Sequence, residues 1–494
     1  MKFFRNQIEN KKDKSKKEDL AGASASASEN YHSLLECLHH TGELKSQSLV
    51  INQLKFMLIY LETMADPEKI QKLILPALHK CMSLADLDEC ISSAGSVKTQ
   101  STREAADLLL EGYCLITVDT CSEFWLLQVR ADIHRPPLEP ENEKVVRGSH
   151  IGFVEDMAVN LRMIRQRMAN KKLVFRYLTK GKETNTKIVL AYVKGIADEQ
   201  VAETIYRKTE KIGADMIFSP GFMQEFMEEH PYSPFPQFLQ TERPDRVMAN
   251  LMEGKVAILA EGSPTTIVMP VTFFSFFQSP DDYNSRFLPG AFYRILRLIS
   301  FVIALVLPSV YIAVIAFHFE VVPSDLVIPL KTSVSGIPFP PLLEAFIMVF
   351  TIELIREAGI RLPTPIGQTI GIVGGLIIGD AVVRAGLISN MMIIVIALTT
   401  VSSFSIPSVE MSASLRLLTF PLMILSSVFG FLGIMFGLMF IMIHLCKLHT
   451  FQSPYLEPVA PFTKTQYKDT FLRFPIRKQH KDKASEAGGN KANK

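Results

Sequence analysis

Hydrophobic and charged residues are distributed differently in the two parts of this chain of 494 residues. Up to about residue 290 charged side chains occur throughout, but between Leu298 and Cys446 they become sparse. Two stretches in this second part, 298–317 and 417–446, contain no charged residue. Each is at least as long as the ~20 apolar residues that a helix needs to cross a bilayer. The pattern therefore predicts a water-soluble region followed by a membrane region.

The soluble region alternates between stretches with the period of strands and stretches with the period of helices. "CLITVD", "FWLLQV", "KLVFRYLT" and "TKIVLAYV" predict strands, and "VEDMAVNLRMIRQRMAN" predicts a helix. The stretch "RPPLEPENE" has the composition of a linker. We therefore expect a multi-domain protein: a cytosolic α/β region of two subdomains, 31–140 and 145–288, then an α-helical multi-pass membrane domain over 291–447.

Two segments of the soluble region share one pattern at equal spacing. "EGYCLITVDTCSEFWLLQV" (111–129) and "EGKVAILAEGSPTTIVMPV" (253–271) each contain Glu-Gly, a strand, a polar turn and a second strand. They are either equivalent hairpins in two related subdomains or a chance agreement between two apolar strand pairs.

The membrane domain is predicted to cross the bilayer four times. The spans are expected near 298–318, 366–384, 388–407 and 415–446. A further segment, 338–362, is predicted to be re-entrant or interfacial, because an even number of crossings keeps both basic ends of the chain in the cytosol.

This topology can be compared with the positions of basic residues. It places Arg384 and Lys447 on the cytosolic side, as the positive-inside rule prefers. It places Arg416 on the opposite side, against that rule.

The segment 338–362 is apolar yet carries several charges. Glu344 falls in the first turn of a helix that begins at Pro340 and Pro341, where a carboxylate interacts favourably with the helix dipole. This gives Glu344 a structural explanation, although we also count it among the candidate pore or gating residues.

The other charges of this segment are predicted to share the helix face opposite Glu344. Arg356 can pair with Glu353, and Arg361 with Glu357. Charged groups at membrane depth are costly and usually face water or a partner. The face that carries Glu353, Arg356 and Glu357 therefore borders either an aqueous path or subunit contact, or lipid headgroups at the interface.

Glycines recur at four-residue spacing in two predicted spans. They are Gly367, Gly371, Gly375, Gly379, Gly433 and Gly437. A row of glycines on one helix face lets two helix backbones pack closely together. The alternative is that these glycines expose backbone to a pore and form its wall. Asp380 and Arg384 follow the first group, and we expect them to form an ion pair at the cytosolic mouth.

Charge is concentrated at the ends of the chain although the net charge is only +2. Residues 1–30 are predicted to be a disordered basic tail, and 448–494 a basic cytosolic tail. Such segments can contact anionic lipid, although a solvated tail has the same composition. Neither interleaves aromatic residues as nucleic-acid binding would require. No apolar segment follows the first lysines, so no signal peptide is expected.

The sequence gives no sign of catalysis, metal binding or a cofactor. It contains no GxSxG, Walker A or HExxH motif, and no GxGxxG in a suitable setting. Its six cysteines show no CxxC and no zinc-ligand spacing, which predicts free thiols in a reducing compartment.

Several ordered motifs between about residues 145 and 475 resemble one family. They are "EKVVRGSHIGFVEDMAVNLRMIRQRM", "PDDYNSRFLPGAFYRILRLISFVIALVLPSVYIAVIAFH", "GIPFPPLLEAF", "ELIREAGIRLPTPIGQTIGIVGGLIIGDA", "RLLTFPLMI" and "SPYLEPVAPF". Together they are similar to the A subunit of the GerA-type spore germinant receptors. The first 110 residues match only loosely.

The resemblance implies a multi-pass subunit of the spore inner membrane whose soluble region consists of two α/β subdomains. In this family the A subunit assembles with a transporter-like B subunit, thought to bind the nutrient, and with a lipoprotein C subunit. A subunits are thought to self-associate into a ligand-gated channel that releases monovalent cations. We therefore expect contacts with these partners and with membrane lipid, and none with nucleic acid.

The sequence departs from the family at two places. Ser149 follows Arg147 and Gly148 where many members have proline, and Val349 stands where many have an acid. If that acid lines a cation path, selectivity or conductance differs here.

Three other functions are left open by the sequence. Broken helices with charges also occur in secondary transporters, although four spans are few and no inverted repeat is visible. A membrane-anchored scaffold would not need the glycine ladder. A germination paralogue associated with the dipicolinate channel would share most of the motifs.

Overall fold

The computed structural model describes residues 22–52, 54–81, 91, 96–131, 139–140, 143–145, 147–361, 375, 381–382, 384–462, 470–471 and 473. The chain divides into two compact units. The α/β unit comprises Met1–Lys144, Ser149–Glu228 and Gln240–Pro270, and the helical unit comprises Val145–Gly148, Glu229–Leu239 and Val271–Lys494.

The first half of the α/β unit is built around a five-stranded sheet in the described residues. Its strands are β1 (Leu44–Ile51), β2 (Leu54–Leu61), β3 (Val97–Thr99), β4 (Tyr113–Val118) and β5 (Phe124–Gln128). Its helices are α1 (Ala27–Cys37), α2 (Pro67–Lys69), α3 (Leu75–Lys80) and α4 (Thr102–Leu110), with a π-helical turn Ile70–Ile74 between α2 and α3. The strands lie in the order β1-β2-β4-β5-β3, and neighbours run antiparallel.

The second half repeats this arrangement. Its strands are β6 (Leu173–Lys180), β7 (Thr186–Val193), β8 (Leu239–Thr241), β9 (Val256–Ala260) and β10 (Thr266–Met269). Its helices are α5 (Met157–Arg167), α6 (Glu199–Glu210), α7 (Pro220–Met227) and α8 (Pro244–Met252). The order β6-β7-β9-β10-β8 is that of the first sheet. The segments 111–129 and 253–271 form β4–β5 and β9–β10, so of the two alternatives that the sequence leaves open, the structure has equivalent hairpins.

Polar residues directly before the helices explain where several of them begin. The side chains of Ser101, Asp156 and Asp198 accept hydrogen bonds from backbone N–H groups in the first turns of α4, α5 and α6. These N–H groups have no partner within the helix, so such caps stabilise the helix start.

The first sheet is covered on both faces. Cys114 and Ile116 on β4 pack with Ile74 from the turn before α3. Leu115 points to the other face and packs with Leu109 of α4. This alternation follows from the two-residue period of a strand. Burial raises the pKa of the Cys114 thiol to about 12, so this cysteine stays protonated at neutral pH.

A buried ion pair joins the two halves of the α/β unit. The carboxylate of Glu43, just before β1, contacts the guanidinium of Arg165 on α5, and both side chains are at most 1% exposed. Arg165 also donates to the backbone oxygen of Leu173 at 2.9 Å, and Glu43 accepts from the hydroxyl of Thr41 at 3.2 Å. Gly42 N–H donates to the Phe175 carbonyl next to this pair.

The helical unit begins with a short aromatic 3-10 helix, Phe273–Phe277. Its α-helices are α9 (Pro280–Asn284), α10 (Phe287–Ala316), α11 (Ser324–Ser335), α12 (Pro341–Arg361), α13 (Asn390–Phe404), α14 (Val409–Phe429) and α15 (Phe431–Lys447). A short hairpin of β11 (His449–Thr450) and β12 (Ser453–Pro454) follows. Of the described helices, α10 and α14 are long and apolar enough to cross a membrane, and α13 and α15 are shorter apolar helices.

Contacts along α10 define the directions of α12 and α13. Ala304, in the middle of α10, lines the same cavity as Glu353 of α12. Tyr311, further along α10, hydrogen-bonds to Ser389 at the start of α13, and Ser389 in turn contacts Glu344 in the first turn of α12. Both α12 and α13 therefore run antiparallel to α10.

Hydroxyl groups on α14 bond to the backbone of α10 around a proline. Pro308 lies inside α10 and lacks the N–H that would bond to the carbonyl of Ala304. The hydroxyl of Thr419 lies 3.5 Å from that carbonyl oxygen, and Ser426 donates to the carbonyl of Ser309. The order of these contacts shows that α14 runs parallel to α10.

The prediction of a single span over 415–446 is wrong. This segment forms parts of two helices, α14 and α15, which are separated by Gly430. Gly430 has a φ of 59°, in the left-handed region that ends helices and favours glycine. The apolar sequence continues through the turn, so hydropathy alone does not show it.

The two helices pack against each other as an antiparallel hairpin. A Cβ atom on Gly433 would lie 2.0 Å from the carbonyl oxygen of Leu425. A Cβ atom on Gly437 would lie 2.4 Å from the side chain of Leu422. Gly433 therefore stands where the backbones of α15 and α14 approach too closely for a larger residue, whereas a larger residue at 437 would require the Leu422 side chain to move.

Basic residues gather at one end of the helical unit. Arg297 lies in the first part of α10, Arg361 ends α12, Arg416 lies in the second turn of α14, and Lys447 ends α15. Because α12 and α15 run opposite to α10 and α14, these four residues lie toward the same end. The prediction that Arg416 lies on the side opposite Lys447 is therefore wrong, since it assumed one crossing between them.

Glu43→Gln is expected to lower the stability of the α/β unit because it leaves the buried Arg165 without a counter-charge. Breaking such a pair typically costs about 3–5 kcal/mol. The only tryptophan of the chain, Trp125, is buried in β5, so its fluorescence reports on this unit. We expect a clearly lower thermal midpoint from this signal. Glu62→Gln, which breaks an exposed pair with Lys45, is the control and should have little effect.

Gly433→Ala is expected to disrupt the hairpin of α14 and α15, because its Cβ requires the backbone at Leu425 to move. Overpacking of this kind costs about 1–3 kcal/mol. Thermal unfolding of the purified full-length protein, followed by circular dichroism, should show a lower midpoint. Gly359→Ala on α12 is the control, since a Cβ there meets no atom within 4 Å. Equal midpoints for the two variants would contradict the close approach.

Candidate functional site

The site consists of a charged cluster where α12, α13 and α14 meet, which we call the arginine cluster. Its members are Glu353 and Arg356 on α12 and Arg416 on α14. The carboxylate of Glu353 lies between the two guanidinium groups, with Oε1 3.4 Å from Arg356 Nη1 and Oε2 3.1 Å from Arg416 Nε. The pair of Arg356 with Glu353 follows from their three-residue spacing, as the sequence predicts.

Serine hydroxyls and an aromatic ring from neighbouring turns position the two arginines. Arg356 Nη2 donates to the hydroxyl of Ser403 on α13 at 3.2 Å, and its guanidinium lies 4.4 Å from the centre of the Phe404 ring. Arg416 Nη1 donates to the hydroxyl of Ser412, one turn earlier on α14, at 2.8 Å. The cluster therefore connects three helices through side-chain contacts.

A small cavity of about 30 Å³ lies beside the arginine cluster. Its walls combine aliphatic side chains with the hydroxyls of Thr399, Thr400 and Thr419. Each of these hydroxyls donates to a backbone carbonyl one turn earlier, at 2.7 to 3.0 Å. Their oxygens therefore keep only lone pairs for anything in the cavity.

The charges of the arginine cluster do not balance. Two guanidinium groups share one carboxylate, which leaves one excess positive charge. Nε of Arg356 is buried and makes no hydrogen bond to any described residue, and Nη1 has only its ion-pair contact with Glu353. Buried groups of this kind normally have partners, so the N–H of Nε marks a place for a polar species.

Glu357 does not join the arginine cluster, contrary to the prediction that it shares a site with Glu353 and Arg356. Its carboxylate pairs with Arg361 at 2.6 Å, as their spacing predicts, and both side chains are more than half exposed. In water such an ion pair contributes little to stability. Glu357 therefore lies on the surface of the isolated chain.

Glu344 is located at a second buried site, which lies about 13 Å from Glu353 towards the start of α12, as calculated from the helix rise. It is fully buried, and its Oε2 accepts a hydrogen bond from the backbone N–H of Ser389 at 3.0 Å. The hydroxyl of Ser389 caps α13 and lies 2.9 Å from the Tyr311 hydroxyl. Glu344 Oε1 has no hydrogen-bond partner among the described residues. Glu344 thus stabilises the start of α13 in addition to the start of its own helix.

Most of the predicted glycine ladder lies outside the described residues. This applies to Gly367, Gly371, Gly379 and also Asp380. Gly375 is described, and a Cβ there would meet nothing within 4 Å. Arg384 lies two residues after Val382, which packs in the cluster around Tyr311. The structure therefore places Arg384 toward the Tyr311 end, away from the basic end where the sequence predicted it.

Sequence reasoning missed three residues of these sites: Arg416, Ser389 and Tyr311. Arg416 could have been identified from the sequence, because it is the one charged residue between Glu410 and Lys447 and a charge in such an apolar stretch requires a partner. Ser389 and Tyr311 are ordinary residues in their local sequence, and only the packing of α10 against α13 brings them to Glu344.

No metal site is found in the part of the chain that the structure describes. There, no three His, Cys, Asp or Glu residues lie close enough together to hold an ion.

Glu344→Ala is expected to destabilise the helical unit more than Glu344→Gln. The glutamine keeps an oxygen that can accept from the Ser389 N–H, while alanine leaves this buried donor unsatisfied at a cost of about 1–3 kcal/mol. The thermal midpoint of the full-length protein by circular dichroism measures the difference. Glu320→Ala, at an exposed position, should change little. Equal midpoints for the alanine and glutamine variants would show that the hydrogen bond to Ser389 does not matter.

Comparison with known proteins places these observations in one family. The profile of the Bacillus/Clostridium GerA spore germination proteins matches residues 32–485. The Bacillus subtilis proteins "Uncharacterized membrane protein YfkQ" and "Spore germination protein B1" are 37% and 35% identical to this chain. The aligned regions cover 86% and 85% of this chain, and 84% and 88% of the relatives.

A solved structure was also found to be similar to the soluble part. It is the N-terminal domain of the A subunit of the Bacillus megaterium spore germinant receptor GerK3, with 24% identity and a TM-score of 0.41. The match covers 51% of this chain and 98% of that domain. With two apolar helices of spanning length, this chain is a membrane protein. The family profile extends over both units, and the chain belongs to the GerA family of spore germination proteins.

Proposed function

We propose that this chain is the A subunit of a nutrient germinant receptor in the spore inner membrane. Its relatives carry the name of spore germination proteins, and the solved domain comes from a receptor A subunit. As in other receptors of this kind, the partners would be a transporter-like B subunit, a lipoprotein C subunit and further copies of the A subunit. The helical unit would form part of a ligand-gated cation channel or transmit the signal that opens one.

We propose six membrane crossings in place of four. The helices α10, α12, α13, α14 and α15 supply five, and the predicted span near 366–384, most of which lies outside the described residues, supplies the sixth. An even number keeps the α/β unit and the C-terminal tail on one side. One end of the helical unit then faces the cytosol, and it is the end that carries Arg297, Arg361, Arg416 and Lys447, as the positive-inside rule requires.

The observation that carries the mechanism is the contact of Glu353 with both Arg356 and Arg416. An excess positive charge makes the arginine cluster a poor lining for a cation path, so we assign it the role of a latch. It holds α12 to α14, and separation of these helices would require the ion pairs to break. Ion pairs that are either formed or broken would give this site the two discrete states that a gate needs.

The other candidate residues fit different roles in this scheme. Glu357 is exposed in the single chain and is available to a pore or a neighbouring subunit. Glu344 holds the starts of α12 and α13 together, away from the arginine cluster. Asp380 and Arg384 belong to the segment after α12, where we place a pore wall or a subunit contact formed by Gly367, Gly371, Gly375 and Gly379.

The latch predicts that Glu353→Gln raises the basal release of potassium from spores. Loss of the carboxylate leaves two guanidinium groups facing each other and destabilises the closed state. A coupling of 1–3 kcal/mol corresponds to a change of about 5–150-fold in the equilibrium between states. Potassium efflux without nutrient measures this change, with protein abundance determined by immunoblot.

Glu320→Gln is the control, since Glu320 is an exposed carboxylate away from the cluster. Arg416→Gln should act in the same direction as Glu353→Gln, and the double variant should add little. Normal basal and nutrient-triggered efflux in Glu353→Gln spores with normal protein abundance would contradict the latch.

A further inference from the structure

We infer that the cavity beside the arginine cluster binds a small monovalent anion, with chloride as the species that fits best. The first reason is charge. Among the described residues of the cluster, Arg356 and Arg416 carry two positive charges against the single negative charge of Glu353. An uncompensated charge in apolar surroundings is strongly unfavourable, so the excess positive charge requires a counter-ion.

The second reason is the direction of the hydrogen-bond donors. Nε of Arg356 is buried next to the cavity and lacks a hydrogen-bond acceptor among the described residues. The side chain of Arg356 is only 12% exposed, and the Phe404 ring lies against its guanidinium. An anion in the cavity would accept from the N–H of Nε and supply the missing charge at the same time.

The third reason is size. A cavity of about 30 Å³ has room for one particle of the size of a water molecule or a monatomic anion. Polyatomic anions such as phosphate or a nutrient carboxylate would extend beyond it. The threonine oxygens offer only lone pairs, so an anion would lie against Arg356 and away from them. Water is the competitor, because it could bridge Arg356 and these oxygens, but water cannot neutralise the charge.

The inference concerns the same cluster as the proposed latch, and the two can fail separately. A bound anion would screen the repulsion between Arg356 and Arg416 and so stabilise the closed arrangement of α12 and α14. Chloride binding is measured on purified protein, and the latch is measured by potassium efflux from spores.

The test is chloride binding to the purified full-length protein in nanodiscs. The ³⁵Cl NMR linewidth is measured while chloride replaces gluconate at constant ionic strength. The wild type should broaden the line in a saturable manner. Arg356→Gln should abolish the broadening, and Arg361→Gln, at an exposed arginine outside the cluster, should retain it.

Glu353→Gln provides the decisive second variant because it changes the affinity in the opposite direction. Removal of the carboxylate raises the excess charge, and half-saturation should occur at a chloride concentration at least about fivefold lower. Unchanged or weaker chloride binding in Glu353→Gln would overturn the inference, even if Arg356→Gln does not fold. So would a wild type without saturable broadening, which would indicate a cavity filled with water.

Discussion

Electrostatic attraction inside an apolar helix bundle is the constraint on which the helical unit depends. Glu353 lies between Arg356 and Arg416 and thereby fixes which faces of α12 and α14 are in contact. In water such ion pairs contribute little to stability. Away from water, a charged side chain without its partner is strongly unfavourable. The contacts of Ser403 and Ser412 with the same arginines show that α13 is part of this arrangement. One polar contact thus determines the relation of three helices.

The remaining helix contacts follow from the need to satisfy backbone groups and to bring backbones close together. Ser426 donates to the carbonyl of Ser309 beside Pro308, and Gly433 and Gly437 let α15 approach α14. None of these contacts relies on hydrophobicity, which does not distinguish one helix face from another in lipid. Small and hydroxylated residues therefore carry the specificity of the bundle, and the ion pairs add a site that can switch.

The α/β unit uses a buried ion pair in a different way. Its two halves have the same strand order, and each sheet has its own antiparallel hairpins. Glu43 and Arg165 join the halves where backbone bonds also cross, between Gly42 and Phe175. This pair is balanced in charge and is held by further hydrogen bonds, whereas in the arginine cluster two guanidinium groups share one carboxylate. The contrast supports a structural role for the first pair and a ligand-dependent role for the arginine cluster.

The sequence by itself determined the features that depend on local pattern. Strand alternation predicted two α/β subdomains, and the pattern that 111–129 shares with 253–271 left open that they are related. Hydropathy predicted where the helical unit lies. The spacing of Glu353 with Arg356 and of Glu357 with Arg361 predicted both ion pairs along α12. These features involve residues within a few positions of each other, so the chain can specify them without knowledge of its fold.

Only the tertiary structure decided which helices turn back and which distant residues meet. Hydropathy is the same on both sides of Gly430, so the sequence predicted one span where the structure has a hairpin, and Arg416 was placed at the wrong end. The same limit applies to Glu344, whose partner Ser389 lies on another helix. Side-chain contacts between helices depend on the direction and rotation of each helix, and these are set by the packing of the whole bundle.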